Sequence, residues 1–141
     1  MPIKLVILDM AGTTVLDQHE VEHCFKLAAD KNGLLASDER ILALQGYAKL
    51  LVFRMLWEEQ LGKGSEQIEP NAQKSYLDFT EILENHYKTN PIYPTEGCLE
   101  LFSYLHQHGI TIALTTGFYR KVANIILDKL GWGQSLNGNY I

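Results

Sequence analysis

Two stretches of the chain carry residues whose types and spacing suit chemistry on phosphorus. Asp9-Met10-Ala11-Gly12-Thr13-Thr14 sets a carboxylate directly ahead of a glycine-threonine turn, and Thr115-Thr116-Gly117 sets a hydroxyl and a glycine amide behind a second apolar run. A carboxylate nucleophile divides a difficult displacement into two easier steps. Backbone N–H groups of a tight turn can cradle phosphate oxygens, and a divalent cation can be held by Asp9 together with a nearby carbonyl. The hydroxyl of Thr116 and the amide of Gly117 would face the same crevice. A third pattern, His19-Glu20-Val21-Glu22-His23, has the H-E-x-x-H spacing that binds zinc from one helix face. That match is formal. The apolar face of the same stretch uses Val21, Cys24 and Phe25, which leaves His19 and His23 on a wet side, and Lys26 and Ala29 stand where the extended protease pattern needs Gly and His. His86, His106 and His108 lie near helix ends and read as surface or capping residues.

The elements that must position these groups can be read from the apolar spacing. Ile3-Lys4-Leu5-Val6-Ile7-Leu8 is short and almost continuously apolar, the pattern of a strand covered on both faces, and it stops at Asp9. A turn at the carboxyl end of such a strand is where open α/β sheets place their ligand crevices. From about Glu20 the period becomes helical through Val21, Cys24, Phe25 and Ala28, until Asn32-Gly33 stops it. Ser37, with Asp38 and Glu39 behind it, caps a second helix that Gly46 interrupts. Ala48, Leu51, Val52, Met55 and Leu56 mark a third, ending at Gly62-Lys63-Gly64, and Tyr76, Phe79, Leu83 and Tyr87 mark a fourth over about 72–87. Consecutive helices with no strand between them are not sheet crossovers, so 16–90 is expected to be an all-helical insertion. Pro91-Ile92-Tyr93-Pro94 is a rigid linker back. Then come a helix on Cys98, Leu101, Phe102 and Leu105, a strand over 110–114, and a helix on Val122, Ile125, Ile126 and Leu130. The expected architecture is an α/β core over 1–15 and 91–141 with a parallel sheet, and hinges at 16–18 and 90–94.

Composition narrows the function classes. The chain has 141 residues, with 12 Lys+Arg against 17 Asp+Glu for a net charge of −5, which excludes a basic nucleic-acid surface. At 46% apolar and 21% charged it is an ordinary globular sequence. Two cysteines, Cys24 and Cys98, are too few for a disulfide scaffold and read as buried thiols. The opening apolar run is far too short for a signal or spanning helix. A soluble cytoplasmic protein is expected, with no nucleic-acid or membrane partner; a homodimer stays open.

Asp9-Met10-Ala11-Gly12-Thr13-Thr14 resembles the nucleophile motif of the haloacid dehalogenase superfamily, and Thr116 resembles its second motif. Leu8 to Val15, Gly46-Tyr47-Ala48-Lys49 and Ala113 to Phe118, with Leu130-Gly131-Trp132, are closest to the phosphonoacetaldehyde hydrolase (phosphonatase)-like branch. The resemblance runs over essentially the whole chain. It implies a Rossmann-like core with an inserted helical cap, Asp9 as the nucleophile, and Mg²⁺ on Asp9 and the Ala11 carbonyl. It further implies phosphate binding by Gly12, Thr13, Thr116, Gly117 and the Gly46 turn, and a small phosphorylated or phosphonate metabolite as substrate. In the superfamily's phosphatases and phosphomutases the residue two after the nucleophile is a second aspartate that protonates the leaving group. Ala11 has no proton to give, and losing a general acid typically costs about 10²–10⁴-fold. Phosphonatases answer with a cap lysine that forms a Schiff base with the substrate aldehyde; Lys49, in Gly-x-x-Lys with Gly46, is the candidate. A Schiff base, phosphate binding and a solvated lysine all stay open for it, and Arg54 is a candidate neighbour that would lower its pKa. Phosphonatases carry a histidine three residues after that lysine, where Val52 stands here, which favours a sister substrate.

The resemblance also implies a third motif with a Lys or Arg and a fourth with aspartates, both beyond the second strand and its helix. Arg120, Lys121, Asp128 and Lys129 follow no buried strand and do not fill those roles. The expectation is a truncated product or a piece of a longer hydrolase. The alternatives are a phosphate monoester phosphatase of the same superfamily and a non-catalytic remnant that binds a phosphorylated ligand.

Overall fold

The computed structural model describes residues 1–132; the stretch 133–141, expected to belong to the α/β part, lies outside the described residues. The elements follow in the order β1 (Leu5–Asp9), α1 (Glu20–Lys31), α2 (Asp38–Ala43), α3 (Lys49–Leu61), α4 (Ile68–Thr89), α5 (Cys98–Gln107), β2 (Thr111–Thr115) and α6 (Arg120–Leu130). They form two compact units. One contains Met1–Gln18 and the described residues from Tyr87; the other is His19–His86. The fold is a partial Rossmann-like α/β core interrupted by helices. Among the described residues no helix is long and apolar enough to cross a membrane.

In the α/β unit β1 and β2 run parallel, pairing Leu5 with Thr111 through to Asp9 with Thr115. Strand alternation sends Ile112 and Leu114 of β2 into the core, with Val122 and Ile126 of α6 and Phe102 of α5. The same alternation corrects the expectation that β1 is covered on both faces. Leu5 and Ile7 are 49% and 61% exposed, because among the described residues the core packs on the other face. Leu101 is also exposed, and α6 buries Ala123 and Leu127 where Ile125 and Leu130 were expected. The two chain passages leading to and from the helical unit are tied together. Val15 and Pro94 form an antiparallel bridge, and the Leu16 N–H donates to the Tyr93 carbonyl at 2.9 Å. The expected hinge segments 16–18 and 90–94 are therefore hydrogen-bonded to each other at Leu16.

The helical unit is organised by aromatic rings. Phe25 of α1 stacks on Phe53 of α3 with centroids 4.1 Å apart and planes 13° apart, and Phe79 of α4 meets both edge-on at 5.9 and 6.2 Å. All three are buried. Trp57 of α3 donates its indole N–H to Ser75 of α4 at 2.9 Å, and the Ser75 hydroxyl donates on to the Asn71 carbonyl at 2.7 Å. The helix starts and stops follow local chemistry. The Ser37 hydroxyl accepts the Arg40 N–H at α2, and Asn32 closes α1. Two boundaries differ from the sequence reading. Ala48 is the residue before α3, exposed, and Leu51 is 43% exposed, while Phe53 and Trp57 carry the buried face. Helix α4 begins at Ile68, with Pro70 in its first turn, where a missing N–H costs nothing.

Candidate active site

In the α/β unit the site is built at the carboxyl end of β1. Asp9 closes the strand opposite Thr115, and the Met10 N–H crosses to the Thr115 carbonyl at 3.0 Å. The Met10 carbonyl then gathers the chain into a knot, accepting from the N–H groups of Thr13 (3.1 Å), Thr14 (3.0 Å) and Val15 (2.8 Å). Gly12, at φ 79°, makes the left-handed corner and donates to the Val15 carbonyl at 2.8 Å. The Ala11–Val15 bridge uses the peptide groups that flank Ala11. Ala11's own N–H and C=O therefore point away from the bridge. The amides of Gly12 and Thr13, expected on phosphate, are engaged inside the turn. Asp9 and Gly117 are exposed, and Thr116 is half-buried with its hydroxyl accepting the Phe118 N–H at 3.0 Å. The structure thus brings Asp9, the Ala11 peptide and the Thr115–Gly117 corner to one end of the paired strands.

Two residues that sequence reasoning passed over hold this geometry. Thr14 is 2% exposed and donates its hydroxyl to the Asp9 carbonyl at 2.9 Å, fixing the strand tip from behind. Thr95 donates its hydroxyl to the Thr13 carbonyl at 2.6 Å and its N–H to the Thr14 carbonyl at 3.0 Å. The signal for Thr14 was its place one turn after Met10, and Thr95 had none. A cavity of about 160 Å³ opens beside them, lined by Leu8, Thr13, Thr14, Thr95 and Cys98 among others. Thr14→Val keeps the shape and deprives the Asp9 carbonyl of its buried donor, so it should lower unfolding free energy by about 1 kcal/mol, read as a lower urea midpoint at unchanged slope.

The donors for a divalent cation are of the right kind. A strand-end carboxylate and a main-chain carbonyl two residues on are hard oxygen ligands, and Mg²⁺ keeps several of its waters when so held. Among the described residues no group of three or more carboxylate, thiol or imidazole side chains is gathered to hold a metal ion. The H-E-x-x-H pattern makes no such cluster either. His19 sits before α1 in the left-handed region at φ 62°, and His23 faces the ring of His86 at 6.3 Å.

In the helical unit Lys49 opens α3, just after the turn in which Gly46 takes φ 88°. A cation at a helix N-terminus meets the positive end of the dipole, and no acidic residue shares that first turn. Such a position favours an anion beside it. Lys49 is half-buried and donates to the Tyr47 carbonyl at 3.4 Å. It lines a cleft with Val21, Glu22, Phe25, Ile41, Gln45 and Val52, with room for about one water. Burial pushes the Lys49 amine below the usual lysine range, and the negative charge of Glu22 pulls it back up. The expectation for Arg54 is corrected: its guanidinium forms two 2.7 Å bonds to Glu69. Both cysteines are buried and free, as expected, with burial raising the thiol of Cys24 to about 11.

The chain is 30% identical over 138 residues to a phosphonoacetaldehyde hydrolase of Bacillus cytotoxicus, a match covering 89% of the chain and 50% of that protein. It is 30% identical over 142 residues to the phosphonoacetaldehyde hydrolase of Bacillus cereus strain AH187, covering 92% and 52%. The chain thus spans about half the length of the curated relatives it matches. Among solved structures, one described as a predicted phosphoglycolate phosphatase from Haemophilus somnus superposes with a TM-score of 0.77 at 18% identity, over 99% of this chain and 62% of that one. A hydrolase from Pseudomonas syringae gives 0.71 at 18% identity, over 99% and 61%. At these identities the structural likeness speaks to the fold alone. The model of the family described as haloacid dehalogenase-like hydrolase matches residues 3–141, and the chain belongs to that family.

Proposed function

We propose that the chain carries the nucleophile of a hydrolase that removes a phosphonate or phosphate group from a small metabolite. Asp9 attacks phosphorus and forms an aspartyl-phosphate, which water then cleaves. The observation that carries this reading is the pair of facts at Ala11 and Lys49. The position two after the carboxylate has no proton for a leaving group, while the helical unit, the cap in this reading, holds a half-buried amine whose proton burial loosens. An imine between Lys49 and a substrate aldehyde would accept the electrons of the breaking P–C bond, leaving an enamine that needs no acid. Asp9 and the Ala11 carbonyl would hold Mg²⁺, which supplies charge neutralisation at the phosphoryl group. The Thr116 hydroxyl, the Gly117 amide and the outward-pointing Ala11 N–H are the groups offered to phosphoryl oxygens in this reading, with the exposed Thr13 beside them; the Gly46 turn would bind substrate from the helical unit.

A second reading, hydrolysis of a phosphate monoester, has one specific observation in its favour. Val52, 2% exposed, lines the Lys49 cleft, so no proton-transferring side chain stands one helical turn beyond the lysine. The two readings part in one experiment on the full chain with Mg²⁺. Phosphonoacetaldehyde is expected to release phosphate, and borohydride should trap a reduced adduct on Lys49 by mass spectrometry, absent in Lys49→Ala. Turnover of phosphate monoesters with no adduct at Lys49 would replace the first reading with the second.

A further inference from the structure

The cleft beside Lys49 contains a charged group that the family resemblance does not mention. Glu22 of α1 lines it together with Lys49 and Gln45. Its side chain is 22% exposed, and each carboxylate oxygen has a polar neighbour. One accepts the amide of Gln45, and the other lies 3.9 Å from Nδ1 of His19. A carboxylate held in this way keeps its charge on the cleft wall instead of swinging into water.

We propose that Glu22 is a positioning residue for Lys49: held by Gln45 on the wall of the same cleft, its carboxylate restrains the amine, and removing that charge lets the amine add more readily to an aldehyde. The inference rests on Lys49 being the nucleophilic amine of the proposed function, and it names the residue that governs when it can act. The surroundings support this assignment. From α1, Glu22 is the titratable residue lining the cleft. From α2 and the turn behind it come Ile41 and Gln45, which do not titrate, and α3 adds Val52. Beyond these, exposed His19 lies 3.9 Å from Glu22 outside the cleft lining, Tyr47 offers Lys49 its main-chain carbonyl, and Arg54 of α3 is occupied by Glu69 of α4. Burial and the Glu22 charge act on the Lys49 amine in opposite directions. Neutralising Glu22 therefore leaves burial unopposed.

The test is reductive methylation of the full chain with formaldehyde and cyanoborohydride. A neutral amine adds to the aldehyde, water leaves, and hydride reduces the imine, so each lysine labels in proportion to its unprotonated fraction. Lys63, exposed in the loop after α3, is the internal reference. At pH 7 Glu22→Gln, which preserves an acceptor for Gln45, is expected to raise labelling at Lys49 about threefold or more relative to Lys63. Its labelling profile should move to lower pH, and Glu22→Asp should restore the original profile. A Glu22→Gln profile that superimposes on the parent, or reduced labelling at Lys49, overturns the proposal. Because formaldehyde is not the substrate, a shifted profile without a phosphonoacetaldehyde adduct would overturn the Schiff-base reading of Lys49 and leave only the effect of Glu22 on the amine standing.

Discussion

Asp9→Asn in the full chain is expected to reduce release of phosphate by at least about 10³-fold, or about 4 kcal/mol in the barrier, with no measurable change in melting temperature. The carboxamide keeps the shape of the side chain and loses the charge that makes it a nucleophile. Folding should not notice, for a reason visible at the strand tip. Asp9 is exposed, and the group of Asp9 that the protein itself uses is the main-chain carbonyl, which accepts the Thr14 hydroxyl at 2.9 Å. The substitution leaves that carbonyl in place, and exposed replacements away from such features usually stay within about 0.5 kcal/mol. Thr14→Val is the mirror case, lowering stability without touching the carboxylate. Turnover of Asp9→Asn within tenfold of the parent, at equal stability, would sink the assignment of the nucleophile.

The contrast between these two residues also marks what the sequence makes legible. Asp9 could be read because a branched apolar run ending in a carboxylate and a glycine turn is a local pattern. The caps at Ser37 and Asn32-Gly33 were legible for the same reason, since a cap is made by residues within a few positions of one another. Which face of an element is buried is not local. Helix α3 is apolar nearly all round, so its spacing did not choose between Leu51, which is exposed, and Phe53 with Trp57, which are buried. The open face of β1 at Leu5 and Ile7 was hidden in the same way, because a continuous apolar run does not say which side receives a neighbour. The site shows the same division. Lys49 was found by type and spacing, but its charged companion was misplaced. Arg54, one helical turn and a residue further on, is drawn to Glu69, and Glu22 arrives from a different helix. That pairing depends on how α1 meets α3, and that meeting is set by rings.

Those rings carry the second large effect. Phe53→Ala is expected to destabilise the helical unit by about 3–5 kcal/mol, a typical cost for emptying a buried phenylalanine site. Phe53 is fully buried between Phe25, stacked at 4.1 Å, and Phe79, edge-on at 6.2 Å. Its removal takes away hydrophobic area and two aromatic contacts at once. The gap lies where three helices meet and cannot close without moving one of them. Phe53→Leu refills most of that volume without the stacking and should cost less, about 1–2 kcal/mol. The ordering is the check. Urea unfolding followed through the helical signal should place the midpoints as parent, then Phe53→Leu, then Phe53→Ala. The formaldehyde label at Lys49 provides a second readout, because Phe25 and Phe53 join the two helices whose contact places Glu22 beside the lysine. If the filling of this site sets that contact, Phe53→Ala in its folded fraction should shift Lys49 labelling toward the Glu22→Gln profile while Phe53→Leu stays near the parent. A Phe53→Leu midpoint equal to the parent's, with Phe53→Ala well below both, would mean that volume alone, and not the stacked pair, holds α1 against α3.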